Sequence, residues 1–388
     1  MYLGPEPRRS GGPWRFLLLL AALVAVGWYI YRSRPEVVRE LLTHLPVEQL
    51  PEEVRPKPTA TPTIRPITAA ELMAKGDELF AAGRMGEAAA EYEKAAQAEP
   101  FNDRAHARRA LALVLRGQRS AALEAARRAV EIDANSAENQ AILGMILDWN
   151  DDPEQAVLAC LKAIELDPKL PMAYAFLAEA YADSDRPEKA MEAAEQAVSL
   201  GPEDVWARRN LAYVYEKMGS YERAIEEYQR AIATHPKMGF LYLSLGRNYV
   251  ALRRFDEAIA EFQKAAELDP ADPQGYDQMG WTYYVQEDYE RAIVLLRKAI
   301  EIDPNYVPAL GHLGIVSYVR RNYEEAIEWL TKAIEIGPAK VEYYYELGFS
   351  HIYLEQCDQG VPWLRKALEL DPECEVAKQG LELCGEEP

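Results

Sequence analysis

The stretch AIVLLRKAIEIDP, residues 292–304, is one amphipathic phrase closed by proline, and it is rewritten as AIAEFQKAAELDP at 258–270 and as AIEWLTKAIEIGP at 326–338. The interval is 34 residues each time. Steps of that length from Pro304 reach Pro270, Pro236, Pro202, Pro168 and Pro100 in one direction and Pro338 and Pro372 in the other; only residue 134, an alanine, fails. Nine units therefore run in one frame, without insertion or deletion, from residue 69 to residue 374. A fixed period means a stack of equivalent units and overrides the two or three domains that 388 residues would suggest.

With each unit numbered 1 to 34, position 8 is always Gly or Ala (Gly76, Ala110 and Gly144 in the first three) and so is position 20 (Ala88 to Gly360). Position 27 is Ala in all nine, from Ala95 to Ala367, and positions 4, 7, 11, 24 and 28 are mostly apolar. Those spacings of three and four place one apolar stripe on each of two helices, and the small residues let the pair approach closely. Proline at position 32 lacks the amide a helix needs and restricts its predecessor, so the second helix is expected to end there.

The pattern resembles the tetratricopeptide repeat over residues 69–374, most closely in WARRNLAYVYEKMGSYERAIEEYQRAIATHP at 206–236, where Leu211, Ala212, Tyr215, Gly219, Tyr221, Ala224, Tyr228, Ala231 and Pro236 occupy signature positions. The resemblance implies an all-α, right-handed superhelical solenoid of nine helix-turn-helix repeats. Lys75 and Arg109 stand at position 7, where leucine is usual, which predicts looser packing of the first two hairpins. Residues 375–388 read as a capping helix and tail, with Val376, Ala377, Gly380, Leu381 and Cys384 on one stripe.

The N-terminal part is chemically distinct. Residues 1–68 hold nine Lys or Arg against six Asp or Glu, leaving 34 against 57 in the rest of a chain whose net charge is −20. An acidic body argues against nucleic-acid binding. After a short basic tail at 1–15, residues 16–31 are uncharged and read as a single transmembrane helix flanked by Arg15 and Arg32; a signal peptide cleaved near Ala25-Val26-Gly27 is the alternative. The Pro/Thr-rich juxtamembrane segment at 32–68 reads as an extended spacer, a composition that favours a body on the extracytoplasmic side.

No catalytic motif is present, and the five histidines show no metal-ligand spacing, so the sequence predicts no enzyme, no cofactor and no metal. The acidic run DWNDDPEQ at 148–155 reads as an inter-helix turn with Asp at a helix start rather than a calcium loop. The resemblance implies that positions 2, 5, 9, 12 and 13 line a concave groove. There the chain places Trp206, Arg209, Tyr213, Phe240, Arg247, Trp281, Tyr284, Tyr318, Tyr345, Phe349 and Tyr353, with Glu216 among them, whereas the first four units supply only Phe80 and Trp149. Aromatics interrupted by a few charges suit a protein or peptide partner.

These features predict a membrane-anchored scaffold for protein–protein interaction. The alternative is a regulatory or assembly subunit of a cell-envelope enzyme or secretion machine, similar to lipopolysaccharide assembly protein B but without the CxxC pairs of its metal module. Two further expectations concern charge and thiols. Repeat two, with seven arginines against four carboxylates, reads either as a contact for anionic lipid or as a solvated face, and a Cys357–Cys384 bridge would fasten the cap, with Cys374 as a competing partner, while Cys160 is a core residue.

Overall fold

A computed structural model describes residues 14–34, 36, 67–337 and 340–387, so the basic tail, most of the 32–68 spacer and Pro338 lie outside the described residues. Helix α1, Trp14–Ser33, stands by itself, with Leu17, Leu18, Leu20, Leu23, Val24, Trp28 and Tyr29 all exposed. The expected transmembrane helix at 16–31 is not supported: among the described residues no helix is long and apolar enough to cross a membrane. The uncharged run gives the physical reason. The helix itself runs for 20 residues, about 30 Å, but only sixteen consecutive ones, about 24 Å, are free of charge, with Arg15 and Arg32 at the two ends, against a hydrocarbon core of about 30 Å.

Residues 67–388 form one compact unit. The first helices of the nine hairpins are α2 (Ala69–Ala81), α4 (Asp103–Leu115), α6 (Ala137–Trp149), α8 (Pro171–Asp183), α10 (Val205–Lys217), α12 (Gly239–Ala251), α14 (Gln274–Val285), α16 (Val307–Val319) and α18 (Val341–Tyr353). Their partners are α3 (Met85–Ala98), α5 (Arg119–Ile132), α7 (Pro153–Leu166), α9 (Pro187–Leu200), α11 (Tyr221–Thr234), α13 (Phe255–Leu268), α15 (Tyr289–Ile302), α17 (Tyr323–Ile336) and α19 (Cys357–Leu370), and α20 (Glu375–Leu383) follows. A capping box opens the array: Glu71 N donates to Thr68 Oγ1 at 3.2 Å while Thr68 N donates to Glu71 Oε2 at 2.9 Å.

Size matching at positions 8 and 24 closes most of the hairpins, repeat five, with Ala212 against Tyr228, being the exception. Gly76 lies against Tyr92 and Gly246 against Phe262 so closely that an added Cβ would overlap the ring. Where position 24 shrinks to Ala126 or Ala194, position 8 is Ala110 or Ala178. The position-27 alanines are all buried, and Cys160 is fully buried, as a core residue should be. Between the helices of every hairpin, position 15 is left-handed, yet only Gly83, Gly117 and Gly219 supply glycine there; Asp151, Asp185, Arg253, Glu287, Arg321 and Glu355 adopt it at φ of 56 to 64°.

One expectation about the hairpins needs correcting, and a second gains a detail. The second helix ends at position 30 in repeat two as well, where Ala134 replaces the proline, so proline is not the whole stop signal. Asp133 accepts a hydrogen bond from the Asn135 amide at 2.9 Å, and Asp167, Asp269, Asp303 and Asp371 repeat this turn. The second concerns Lys75 and Arg109, whose side chains are held by ion pairs, Lys75 within its own hairpin and Arg109 to the hairpin before it. Lys75 reaches Glu91 at 2.9 Å, and Arg109 pairs with Glu93, so ion pairs replace the leucine contact.

The array also turns back on itself. Arg116 donates to the Ala271 carbonyl at 2.8 Å, Gln274 donates to the Leu115 carbonyl at 2.9 Å, and the Lys237 carbonyl presses on Gly83 where a Cβ would overlap it. The inner turns of repeats one and two thus meet the connections that lead into repeats six and seven. At the other end, α20 buries Ala377, Gly380 and Leu381, Val376 remains 41% exposed, and Cys357 is bridged to Cys384 with Cα atoms 5.6 Å apart.

Candidate functional site

The first helices of repeats two to six, with Gln274 at the start of α14, line a chamber of about 770 Å³ that is open to solvent on one side. Its walls carry Asp148 and Trp149 from α6, Glu179 and Asp183 from α8, Arg209 and Tyr213 from α10, and Phe240, Ser244 and Arg247 from α12. All but Ser244 occupy positions 2, 5, 9, 12 or 13 of their units. Asp148, Glu179 and Asp183 stand at inner positions as well, beside the aromatic and basic residues expected there. Polar residues at those positions of repeats three and four are their signal in the sequence.

The chamber is a charged network. Glu179, 2% exposed, pairs with Arg209, 5% exposed, and accepts a hydrogen bond from Trp149 Nε1 at 2.9 Å. The Arg209 guanidinium lies over the rings of Trp149 and Tyr213 at 5.3 and 5.1 Å. Burial is the largest influence and opposes its charge, but the Glu179 carboxylate, with Tyr228 and Tyr213 adding to it, leaves Arg209 held above its ordinary value. Asp183 takes the Tyr213 hydroxyl at 2.7 Å and Lys217 at 2.8 Å. Asp148 has no such support: it is 5% exposed, and neither of its oxygens meets a hydrogen-bond donor. Burial first, then Glu179 and Asp183, push its carboxyl far above the usual range.

A second surface runs along α14, α16 and α18. Trp281 stacks on Tyr284 and on His312, with centroids 4.5 and 4.2 Å apart, and His312 Nδ1 lies 2.7 Å from Asp277 Oδ1, both residues buried. Tyr318, Phe349 and Tyr353 cluster with centroids 6.0 to 6.2 Å apart, and Tyr345 is half-buried. Glu346 is buried beside them with one oxygen unpartnered; burial and then Glu342 raise its carboxyl to about 8.

The eleven expected groove residues thus fall into two groups and an exception. Arg209, Tyr213, Phe240 and Arg247 line the chamber; Trp281, Tyr284, Tyr318, Tyr345, Phe349 and Tyr353 form the C-terminal run. Trp206 belongs to neither. It is 5% exposed, edge-on to Phe176 and stacked on Phe240, so it is core. Phe349 is likewise buried, and Trp281 packs partly on the core, whereas Tyr353 is half exposed.

Five of the seven arginines of repeat two are paired with carboxylates. Arg104, Arg108, Arg109, Arg119 and Arg128 face Asp77, Glu138, Glu93, Asp151 and Glu131. Asp152 caps α7 by accepting from the Gln155 amide at 3.2 Å, which accounts for part of the acidic run there.

Family models described as tetratricopeptide repeat match residues 177–239, 209–275, 285–347 and 341–374, the last coinciding with the ninth unit. The chain carries tetratricopeptide repeats. A bacterial transcriptional activator domain model matches residues 47–136, over the first two repeats. Among solved structures, the tetratricopeptide array is similar to the anaphase-promoting complex hetero-tetramer Cut9–Hcn1, with a TM-score of 0.58 and 16% identity over 77% of this chain and 59% of that one. The chain therefore spans about three-fifths of that relative's length. A monomeric IFIT1 mutant with Gppp-AAAA gives a TM-score of 0.55 at 16% identity, over 81% and 80% of the two chains. The human IFIT1 dimer with PPP-AAAA gives 0.52 at 17% over 76% and 81%. These likenesses are of fold. No curated protein sequence matches the chain.

Proposed function

We propose that the protein is a non-catalytic docking scaffold whose C-terminal aromatic run, on α14, α16 and α18, receives a polypeptide partner. The observation that carries the reading is the Tyr318, Phe349 and Tyr353 cluster, a ring surface that ends at a half-exposed tyrosine instead of closing into core. Rigid aromatics on an inner face provide contact area at low entropic cost. Co-purification of the full chain with crosslinked partners tests it. Tyr345→Ala and Tyr353→Ala together should lose the partner and keep the helical content; retention of the same partner would refute the reading. One stoichiometric enzyme among the captured proteins would mark the scaffold as a regulatory subunit, and several proteins an adaptor.

The reading includes attachment to a membrane through residues 16–31. What supports it is the exposure of apolar side chains all round α1, which no described packing covers. Full-length protein should float with vesicles, and protein lacking residues 1–66 should not. Placement of the body in an oxidising, extracytoplasmic compartment is supported by the Cys357–Cys384 bridge. Thiol trapping of protein from its native source should then leave Cys160 and Cys374 reduced and the other pair oxidised; four free thiols would reverse the placement.

A further inference from the structure

One carboxylate on the chamber wall, Asp148, is left without an ion-pair partner among the described residues, although Arg247 on the same wall also lacks a carboxylate. Arg209 is taken by Glu179, Lys217 by Asp183, and Arg119 by Asp151, at 3.6 Å on the solvent side. Arg247 donates to Ser244 Oγ at 2.9 Å. What remains is Asp148, nine-tenths buried with both oxygens lacking a donor, and Glu179 Oε2, buried and also lacking one, both on the wall of the same cavity. As an ionised carboxylate Asp148 would be costly here, and the chain avoids that cost by keeping the carboxyl protonated against Asp183; a cation brought from outside the chain is the alternative partner. Apolar surface stands beside it: Val114, Leu115, Trp149, Phe240 and Leu243 line the rest of the wall.

We propose that the chamber binds a primary ammonium or guanidinium group carried on an aliphatic stem, with Asp148 as its carboxylate partner and the apolar wall holding the stem. The volume of about 770 Å³ accommodates a lysine or arginine side chain together with the segment that bears it. This site is separate from the C-terminal aromatic run and stands or falls independently of it.

The groups that face Asp148 make the site sensitive to protonation. Glu179 and Asp183 on α8 repel its charge, Arg209 on α10 attracts it, and the buried Cys160 thiol on α7 is held neutral. With burial added, the balance keeps a proton on Asp148 near neutrality. An arriving cation displaces that proton, so binding and proton release are linked.

Titration calorimetry of the full chain tests this with N-acetyl-lysine methylamide, N-acetyl-arginine methylamide, cadaverine and the uncharged N-acetyl-norleucine methylamide. The charged probes should bind at least about tenfold more tightly than the norleucine compound, as a charge-assisted contact requires. Their heat should differ between buffers of different ionisation enthalpy. Asp148→Asn, which imitates the protonated carboxyl, should abolish the preference while keeping the thermal midpoint, and Asp151→Asn should preserve it. Tighter binding of the capped amino acids assigns the group to a polypeptide, and tighter binding of cadaverine assigns it to a free amine. Should Asp148→Asn unfold, the native protein decides: the preference should vanish below about pH 5, where the carboxyl stays protonated. Equal binding of charged and uncharged probes, an unaltered preference in Asp148→Asn, or a preference that persists in acid would overturn the proposal.

Discussion

The inner helices of repeats two to six and those of repeats seven to nine occupy equivalent positions of the same unit, yet they are furnished differently. In the former, carboxylates and guanidinia meet inside a chamber that the array's own closure helps to wall. In the latter, two ring clusters, one around Trp281 and one around Tyr318, Phe349 and Tyr353, follow the inner helices, and the second reaches solvent at Tyr353. A repeat fixes only the residues that hold hairpins together, positions 8, 20, 24 and 27. The inner positions carry no packing obligation common to all units, and so they are where one array is divided between two kinds of recognition.

The largest effect should come from removing the cation that answers Glu179. Arg209→Ala leaves Glu179 buried and unpaired beside Asp148, and should cost about 3–5 kcal/mol of stability in urea denaturation. Pairing Arg209→Met with Glu179→Leu should recover most of it. A loss below about 1 kcal/mol for the single variant would show that water already reaches the pair.

Closure itself can be tested with two glycines of like conformation. Gly83 and Gly117 have φ of 83° and 76°, but only Gly83 faces a neighbour, the Lys237 carbonyl, and Gly117 has nothing within 4 Å. Alanine at 117 should cost about 1 kcal/mol for the left-handed backbone alone. Alanine at 83 should cost a further kcal/mol or so, roughly that of a displaced contact, and should expand the particle in solution scattering. Equal losses, with no expansion, would mean that the two ends merely lie near one another.

A smaller effect belongs to the C-terminal run. The Glu346 carboxyl sits at about 8 in the folded protein because burial and Glu342 disfavour its charge. Its folded value lies above the unfolded one, so the folded state holds the extra proton between about pH 4.5 and pH 8, and stability falls as pH rises through that window. Glu346→Gln should remove this dependence and leave the variant more stable than the native protein at pH 8.5 by on the order of 2 kcal/mol. Parallel pH profiles for the two would place Glu346 in contact with water and weaken the picture of a dry aromatic run.

Much of the architecture was available from spacing alone. The 34-residue frame located every hairpin, because helix periodicity and the small residues at positions 8, 20 and 27 act locally. Where a capping helix must lie pointed to Cys357 and Cys384, with Cys374 as a competing partner. What escaped depends on contacts between units far apart in sequence. Nothing local announces that Arg116 will find Ala271 or that Gln274 will find Leu115, 155 and 159 residues away, and without that closure no chamber can be foreseen. Trp206 was misread for a related reason: its position faces inward, but Phe176 and Phe240 from adjacent repeats cover it. Proline was credited with stopping every second helix because it is conspicuous, while the aspartate before it does the same work in repeat two.

The central claim, that a polypeptide partner docks on the C-terminal aromatic run, is tested most directly by site-specific photocrosslinking in the native cell. A photoreactive side chain placed at Tyr353, at the exposed end of the run, is compared with one at Leu370, equally exposed on the second helix of the same hairpin. The account predicts a discrete adduct from position 353 that is lost when Tyr345 is replaced by alanine, and none from position 370. Equal adducts from both positions, or an adduct at 353 indifferent to Tyr345, would contradict it.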